Sequence, residues 1–594
     1  MAGSAPLIEQ ALACLRQGQV EEAMRLLALR LRVEPRDGAA RHLVGVVLLQ
    51  QGQPAQALDQ FDLAGQVLPT VPTLHYNRGN ALMALSRPAD AVSAFDEALA
   101  LQGDFAEAWF NRGNALHAMG QSLAALDSYQ RAARARPSLV PAQRSLALLA
   151  LQLGRDEQAR AAFGHWIELE PERAVAHTLL GVALHRLGQV DQALAQHERA
   201  IAIDPGLADA WNNRGNALHD LGDASAALAC FERALELQPD FPEAVNNRGM
   251  LQQERGRLDL ARADYDRALA LRPGYREALQ RRAALSLLQG RLREGWADYE
   301  DGHARQQQAR LPAGAPPFWE GQDLRGKSLL LSEPNGLGDT LQFFRFVPAL
   351  LERGARLAFT GPRSVFAILS AFSDRVRMVE DPRGERFDFQ CWLWSLPHYL
   401  QVDRATDLAP GLPWLQADPE RVRRWRSLLA GDAFTIGLCW QGNPRRKIDR
   451  GRSIPLREFA PLARLPGVRL VSLQKHHGLD QLADLPEGMP IQVLEDFDEG
   501  PDAFVDSAAV LANLDLLVCA DTSITHVAGA MGRPTWLALN PVPDWRWGLA
   551  GEASPWYPSV RLFRQQAQGD WAPVFEAMAR QLAPLLAARD ARGS

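Results

Sequence analysis

The sequence predicts two successive architectures, an α-helical solenoid in the first half and an α/β fold with parallel sheets in the second. A 34-residue period of Pro and Gly runs through about the first 300 residues. The segment Leu311 to Ser328 is rich in Pro and Gly and marks a boundary. Beyond it, short apolar runs alternate with helix-length segments, which is typical of strands buried in a parallel sheet.

Length and composition restrict the class of protein. The 594 residues carry a net charge of −6, which argues against nucleic acid or anionic membrane as the main partner. The five scattered Cys form no CxxC and suit a reducing compartment. The N-terminus lacks signal-peptide features, and no apolar run of about 18 residues predicts a membrane span. We therefore expect a soluble, cytoplasmic protein.

The repeat follows two grids. Each Gly is expected to end the first helix of a pair, and each Pro to close the second. Gly103 replaces Pro at one point, and Ser86 replaces Gly at another. The grid positions are Pro35, Pro69, Pro137, Pro171, Pro205, Pro239 and Pro273, and Gly18, Gly52, Gly120, Gly154, Gly188, Gly222, Gly256 and Gly290.

One repeat unit carries a full set of recurring side chains, namely Trp109, Gly113, Gly120, Ala125, Tyr129, Ala132 and Pro137. This pattern resembles the tetratricopeptide (TPR) repeat, so the resemblance implies a TPR superhelix. Eight units extend from about Pro6 to Tyr275. A further helical pair, from Arg276 to about Gln308, is expected to cap the array.

Asparagine recurs at two positions of the first helix in each pair. The sixth position holds Asn77, Asn111, Asn213 and Asn247, and the ninth holds Asn80, Asn114 and Asn216. These positions share one helix face, and an amide can both donate to and accept from a peptide backbone. The NRGNAL stretches resemble the asparagine ladder of O-GlcNAc transferase, which implies binding of an acceptor polypeptide. The alternative is that Asn satisfies neighbouring repeats, and Ser145 and Leu179 interrupt the ladder.

The second half contains three segments with candidate chemistry, each following an apolar run. The first has Gly336, Gly338 and Asp339 at the start of a helix. By itself this segment is weak evidence for nucleotide binding, because it contains no GxGxxG fingerprint. Asp339 could instead be a helix cap. The second is a basic loop that begins near Gln441 and ends at Arg452, where phosphate binding competes with a solvated loop.

The third segment is the strand Leu516 to Ala520, followed by Asp521-Thr522-Ser523 and a helix of small residues. A helix N-terminus that follows a strand is a natural anion site. His526 could donate a hydrogen bond to a diphosphate. The alternative is an ordinary βα turn with a capping Asp and a packed His.

Together, NGLGDTLQFFRFVPAL, GLCWQGNPRRKIDRGRSIPL and ADTSITHVAGAMGRPTW resemble glycosyltransferase family 9, the heptosyltransferase-like group. The tail PDWRWGLAGEASPWYPSVRLFRQ resembles its bacterial TPR-linked branch. The resemblance implies a GT-B fold of two Rossmann-like domains. The expected domains are residues 1–310 (TPR), 311–328 (linker), 329–425 (N-terminal Rossmann-like) and 426–594 (C-terminal, donor-binding).

The resemblance also assigns roles. Asp339 matches the proposed general base, and Arg452 matches a cationic position facing the donor phosphates. The implied donor site comprises Gly336, Gly338, Gln441, Arg452, Asp521, Thr522, Ser523 and His526. Ser523 departs from the family's usual Gly, which puts the closeness of the backbone to the donor in question.

The expected function is inverting, metal-independent transfer of a sugar from a nucleotide donor to Ser or Thr of a protein held by the repeats. Flagellin is a candidate acceptor, because the organisation resembles TPR-containing flagellin glycosyltransferases. No cofactor is expected beyond the nucleotide-sugar substrate, and the DxD-like Asp496 and Asp498 are not expected to bind metal. The alternatives are a non-catalytic TPR scaffold with a vestigial GT-B domain and a glycosyltransferase for lipopolysaccharide or another surface glycan.

Overall fold

The structure, a computed structural model, describes residues 5–308, 311, 314–333, 336–409, 411–444 and 451–593. The chain forms two compact units, residues 1–239 and 240–594. The predicted boundaries at residues 310 and 425 both lie inside the second unit. Most of the basic loop, at 445–450, lies outside the described residues, whereas Arg452 lies within them.

The first unit consists of paired helices. They are α1 (Ala5–Arg16), α2 (Val20–Val33), α3 (Gly38–Gln50), α4 (Pro54–Gly65), α5 (Pro72–Ala84), α6 (Pro88–Leu101), α7 (Ala106–Ala118), α8 (Ser122–Ala135), α9 (Val140–Gln152), α10 (Asp156–Leu169), α11 (Ala174–Arg186), α12 (Val190–Ile203), α13 (Ala208–Asp220) and α14 (Ala224–Leu237).

Within a pair, a glycine of the first helix lies against an aromatic ring of the second. A Cβ added to Gly79 would lie 2.5 Å from the Phe95 ring, and one added to Gly113 would lie 2.5 Å from Tyr129. Glycine is therefore required here because the ring occupies the space of a side chain. Phe95 is fully buried, so this contact forms the centre of the pair.

The predicted turn glycines adopt left-handed backbone conformations. Gly120, for example, has φ 74° at the end of α7. Ser86, the exception in the sequence grid, adopts the same conformation with φ 58°. The turn therefore has the same geometry with Ser as with Gly, although the left-handed conformation is sterically unfavourable for Ser86.

The second unit begins with four helices that continue the same pattern: α15 (Pro242–Glu254), α16 (Leu258–Leu271), α17 (Arg276–Leu288) and α18 (Leu292–Tyr299). A π-helical turn, Glu300–Ala304, and α19 (Arg305–Gln308) follow. Trp296 of α18 is 1% exposed and packs edge-on against Phe343, Trp545 and Trp556. The last helical pair therefore shares a hydrophobic core with the α/β region.

Two fully parallel sheets form that α/β region. The four-stranded sheet has the order β3-β2-β1-β4, and the six-stranded sheet has the order β10-β9-β8-β5-β6-β7. The strands are β1 (Ser328–Ser332), β2 (Arg356–Thr360), β3 (Val376–Met378), β4 (Phe389–Trp392), β5 (Phe434–Cys439), β6 (Val468–Ser472), β7 (Ile491–Gln492), β8 (Leu516–Ala520), β9 (Thr535–Leu539) and β10 (Val560–Arg564).

Helices follow most of the strands, and the last helix follows β10. They are α20 (Leu337–Phe343), α21 (Val347–Glu352), α22 (Leu396–Tyr399), α23 (Pro419–Leu429), α24 (Ala460–Ala463), α25 (Val505–Leu511), α26 (Ser523–Ala530) and α27 (Ala572–Gly593). All five residues of β8 are buried, as expected for a strand inside a parallel sheet. The prediction of an α-solenoid followed by an α/β region with parallel sheets is confirmed, and GT-B remains a prediction.

Candidate functional site

One cavity of about 530 Å³ gathers almost all of the predicted donor-site residues and the predicted base. Its lining includes Gly336, Gly338, Asp339, Arg452, Asp521, Thr522, Ser523 and His526. Gln441 lies instead in an adjoining cavity of about 530 Å³, whose wall shares Thr522 and Ser523 with the first. Three segments that are far apart in sequence therefore meet at one place.

Sheet topology explains why they meet. In the six-stranded sheet, β5 and β8 are adjacent, and the chain order runs outward from them in opposite directions. Ligands of open α/β sheets bind at such a switch point, beyond the carboxyl ends of the strands. Gln441 closely follows β5, and Asp521 immediately follows β8. The Gly336–Asp339 turn follows β1, which occupies the switch point of the four-stranded sheet.

Asp339 forms an ion pair with a residue that the sequence analysis did not assign. Its Oδ1 lies 2.5 Å from Nη2 of Arg546, whose Nη1 lies 2.8 Å from Oδ1 of Asp544. Arg546 Nε also donates to Gln342 Oε1. Burial lowers the pKa of Arg546, but Asp544 and Asp339 raise it more, so the guanidinium stays charged.

In the sequence, Arg546 stands between Trp545 and Trp547. That pattern does not indicate which carboxylate Arg546 pairs with. The alternative for Asp339 was a helix cap. The N-cap of α20 is Gly336, which places Asp339 in the first turn of the helix, with its carboxylate directed to Arg546.

A second ion pair joins the other two segments. Arg452 Nη2 lies 2.6 Å from Asp521 Oδ2. Burial lowers the pKa of Arg452, while the charges of Asp521 and Asp544 raise it, with a net rise. Three carboxylates thus face two arginines, so a bound anion competes with Asp339, Asp521 and Asp544 for the guanidinium groups.

Helix α26 adds an anion site of a different kind. Its N-cap residue, Thr522, has extended backbone and makes no side-chain capping bond. The Thr525 N–H donates to the Thr522 carbonyl at 3.1 Å, so an anion at this helix start would bind the N–H groups of Ser523 and Ile524. A Cβ on Gly338 would lie 3.1 Å from Ser523 Oγ. Gly338 therefore allows the turn after β1 to approach this helix start closely.

His526 is 6% exposed and contacts the rings of two aromatic residues, Trp547 and Tyr557. Its Nδ1 is 2.8 Å from the Tyr557 hydroxyl, and its ring stacks at 5.8 Å on Trp547. Burial, followed by the charges of Arg546, Arg345 and Arg452, holds the pKa of His526 well below its usual range. The imidazole is therefore neutral at physiological pH.

Gln441 is held by a buried glutamine that the sequence analysis also missed. Gln474 accepts from the Gln441 backbone N–H at 3.0 Å and donates to the Gln441 carbonyl at 2.8 Å. Gln474 is 7% exposed, so it fixes the loop after β5 from inside the protein.

The DxD-like segment has a structural task. Asp498 accepts hydrogen bonds from the backbone N–H of Asp506 at 2.8 Å and from the Ser507 hydroxyl at 2.5 Å. It therefore caps the start of α25. Among the described residues, no group of three or more His, Cys, Asp or Glu is arranged to hold a metal ion. The expected metal independence stays a prediction.

The ladder asparagines are half-buried, and Asn77, Asn80 and Asn111 take part in hydrogen bonds between repeats. Asn77 contacts His42 Nε2 at 2.9 Å, and Asn111 donates to Tyr76 at 3.1 Å and to Asn80 at 2.8 Å. Asn114 accepts from Tyr129 at 2.9 Å. Asn213 and Asn216 in α13 and Asn247 in α15 are likewise half-buried.

These contacts favour the structural alternative for the amides of Asn77, Asn80, Asn111 and Asn114. The remaining exposure leaves peptide binding as a prediction.

Comparison with known proteins identifies tetratricopeptide repeats in this chain. Models of the tetratricopeptide repeat match residues 8–66, 76–140, 208–241 and 230–263, and a TPR repeat model matches 184–222. Protein FlbA of Caulobacter vibrioides is 29% identical over 291 residues, which cover 44% of this chain and 48% of that protein. The chain thus spans about half the length of this curated relative.

Solved structures also match in the repeat region. YrrB, a TPR protein with an unusual peptide-binding site, is 25% identical over 31% of this chain and 95% of its own, with a TM-score of 0.30. The C-terminal part of a TPR repeat-containing protein from Cytophaga hutchinsonii is 14% identical over 40% of this chain and 98% of its own, with a TM-score of 0.34. No helix among the described residues is long and apolar enough to cross a membrane. The helical pairs and the family matches together establish tetratricopeptide repeats across about the first 270 residues.

Proposed function

We propose that the protein is a glycosyltransferase that moves a sugar from a nucleotide donor to a Ser or Thr hydroxyl of a polypeptide held by the repeats. The observation that supports this most is the convergence of Asp339, Arg452 and the start of α26 in one cavity at two sheet switch points. These are the groups that the resemblance to glycosyltransferase family 9 names as base and phosphate-binding elements.

The proposed reaction needs one base and one anion site. Asp339 accepts the proton of the acceptor hydroxyl, whose oxygen forms a bond to the anomeric carbon. The bond from that carbon to the phosphate oxygen breaks, and the nucleotide leaves as an anion. Arg452 and the first-turn N–H groups of α26 stabilise the leaving phosphate. Attack from the side opposite the leaving group inverts the anomeric centre.

Arg546 holds the Asp339 carboxylate by an ion pair. Its guanidinium contacts both Asp339 and Asp544. A donor phosphate that attracts Arg546 would weaken its contact with Asp339 and free the carboxylate for the acceptor proton. The buried Asp544 would keep Arg546 in place during that shift.

Polypeptide binding is assigned to the repeats. TPR arrays present first helices on a concave surface, and the half-exposed Asn side chains lie on those helices. We propose flagellin as the first acceptor to test, following the resemblance stated above. Comparing the intact mass of flagellin from cells with and without this gene tests that choice directly.

The central experiment uses the purified full-length protein, a panel of nucleotide sugars and an assay of nucleotide release. Asp339→Asn should slow release by a factor on the order of 10²–10⁴, since it removes a general base, while nucleotide affinity stays within a few-fold. Asp374→Asn, at an exposed carboxylate outside the cavity, is the matched control and should keep the wild-type rate. Arg452→Ala should weaken donor binding instead.

A non-catalytic scaffold is the second candidate, because the Asp339–Arg546 ion pair also fits a structural role. Wild-type protein that releases nucleotide from no donor, with or without flagellin, would favour the scaffold. An Asp339→Asn variant as fast as wild type would remove Asp339 from the chemistry.

A further inference from the structure

A buried chain of side chains runs from one sheet region to the other and ends at His526. Arg345 lies just after α20, the helix that follows β1 of the four-stranded sheet. The Arg345 side chain is 1% exposed. Its guanidinium carbon lies 4.3 Å from the centre of the Tyr557 ring. The Tyr557 hydroxyl in turn lies 2.8 Å from His526 Nδ1.

Arg345 is held by backbone rather than by a carboxylate. Its Nε donates to the carbonyl of Gln342 at 2.7 Å, and its Nη1 donates to the carbonyls of Leu408 and Trp556, each at 2.7 Å. Among the described residues, the buried Nη2 has no acceptor at hydrogen-bond geometry, while the guanidinium interacts with the Tyr557 hydroxyl. A full positive charge is thus fixed beside the Tyr557 ring.

That charge favours one direction of the Tyr557 hydroxyl proton. A phenol beside a cation is most stable with its oxygen lone pairs toward the cation and its proton away from it. The proton then lies toward His526, so Nδ1 accepts the hydrogen bond and Nε2 carries the ring proton. Three guanidinium groups near His526, those of Arg345, Arg452 and Arg546, disfavour a second ring proton.

The packing around His526 fixes its ring with the Nε2 side toward the cavity. Cδ2 of His526, the neighbour of Nε2, is the ring atom closest to Gly338, which lines the cavity. A Cβ added to Gly529 would lie 2.3 Å from the Tyr557 ring, so the glycine provides the space in which that ring packs against α26. Trp547 also stacks on the imidazole, and its ring lies 6.5 Å from that of Tyr557. His526 therefore has little freedom to rotate.

We infer that Tyr557 and Arg345 are positioning residues that hold His526 as a neutral, Nε2-protonated imidazole, so that Nε2–H donates a hydrogen bond to a phosphate oxygen in the cavity. The part about phosphate rests on the proposed function, and the part about the tautomer does not. A neutral donor suits a site already crowded with guanidinium and carboxylate charge. It binds the phosphate by a hydrogen bond and adds no further positive charge, which would hold the anionic product more tightly.

The tautomer can be measured without any substrate. Full-length protein labelled with ¹⁵N at histidine would be examined by long-range ¹H–¹⁵N correlation at pH 7, with His526→Gln used to assign the resonances. Wild type should show an unprotonated Nδ1 and a protonated Nε2. Tyr557→Phe removes only the hydroxyl and should shift His526 toward a mixture of tautomers.

Tyr399→Phe is the matched control. It removes another part-buried tyrosine hydroxyl, which donates to Glu300 at 3.0 Å and does not line the cavity. Thermal unfolding of both variants separates a general loss of stability from a local effect. The control should leave the His526 resonances unchanged.

The second arm measures binding of inorganic pyrophosphate by calorimetry. Tyr557→Phe should weaken binding about fivefold, as expected when one oriented hydrogen bond is lost, and Tyr399→Phe should not.

An Nδ1-protonated or doubly protonated His526 in the wild type would overturn the inference, as would an unchanged tautomer in Tyr557→Phe. If the tautomer is as expected but the wild type binds no pyrophosphate, the phosphate contact and the proposed donor site both fail. If the wild type binds and Tyr557→Phe binds equally well, only the positioning role fails.

Discussion

His197 is the basis of a prediction about stability and pH. It occupies the ring position that is Phe or Tyr in neighbouring repeats, and a Cβ on Gly181 would lie 2.4 Å from its ring. The side chain is 1% exposed, and its Nδ1 is buried without a partner among the described residues. Burial and the nearby His185 lower the pKa of His197 to about 4.

The lowered pKa of His197 determines whether the protein gains or loses stability as pH falls. In the unfolded chain the ring takes up a proton as pH falls through about 6.5, whereas in the folded chain it stays neutral down to about 4. The unfolded state therefore binds more protons in this window, and stability is lost as pH falls from about 6.5 to about 4. At about 1.4 kcal/mol per pH unit, the loss is about 3 kcal/mol.

His197→Phe should remove this loss because phenylalanine does not titrate. At pH 7 the variant should already be more stable by about 1–3 kcal/mol, since an unsatisfied buried nitrogen is replaced by carbon. The gain should grow by about 3 kcal/mol between pH 6.5 and pH 4. Other groups titrate in the same range, so the quantity that matters is the difference between variant and wild type.

Urea unfolding of residues 1–239, followed by circular dichroism from pH 7.5 to pH 4, measures that difference. His165→Gln is the matched control, because the His165 side chain is 60% exposed, and it should follow the wild-type profile. A His197→Phe variant whose stability falls with pH as steeply as that of the wild type would refute the assignment of the buried neutral ring.

Two further predictions concern the repeats. Ser86→Gly should stabilise the chain by about 1 kcal/mol, because a left-handed conformation costs an L-residue about 1–2 kcal/mol. Gly120→Ser, at an open position with φ 74°, should destabilise the chain by a similar amount. If Ser86→Gly and the wild type have equal midpoints of urea unfolding, Ser86 is not strained. Replacing Asn77, Asn111, Asn213 and Asn247 with Ala should impair modification of a whole-protein acceptor while nucleotide release persists; at roughly 0.5–1.5 kcal/mol per hydrogen bond, additive losses amount to a few kcal/mol of acceptor binding. Unfolding of this quadruple variant would instead support the contacts between repeats as the main role of these asparagines.

The sequence by itself determined the parts that local patterns encode. The 34-residue grid predicted paired helices because each pair repeats the same turn and the same buried contact, as Gly113 and Tyr129 illustrate. Apolar runs followed by Gly, Asp or Thr predicted the strand-to-helix turns that hold Asp339 and Asp521, since a strand and the helix start after it are adjacent in the chain. The resemblance to a known family then gathered these turns into one expected site.

Tertiary structure decided the pairings. Arg546 lies 207 residues from Asp339, and only the meeting of the two sheet regions makes one the counter-ion of the other. Arg345, Tyr557 and His526 likewise belong to separate segments, and their order depends on how the rings pack. Trp296 lies in a helix of the repeat pattern but packs against Trp545 and Trp556, so the compact unit extends across the linker that the sequence marked as a boundary. Periodicity records which residues face a core, but it does not record which other segment supplies the rest of that core.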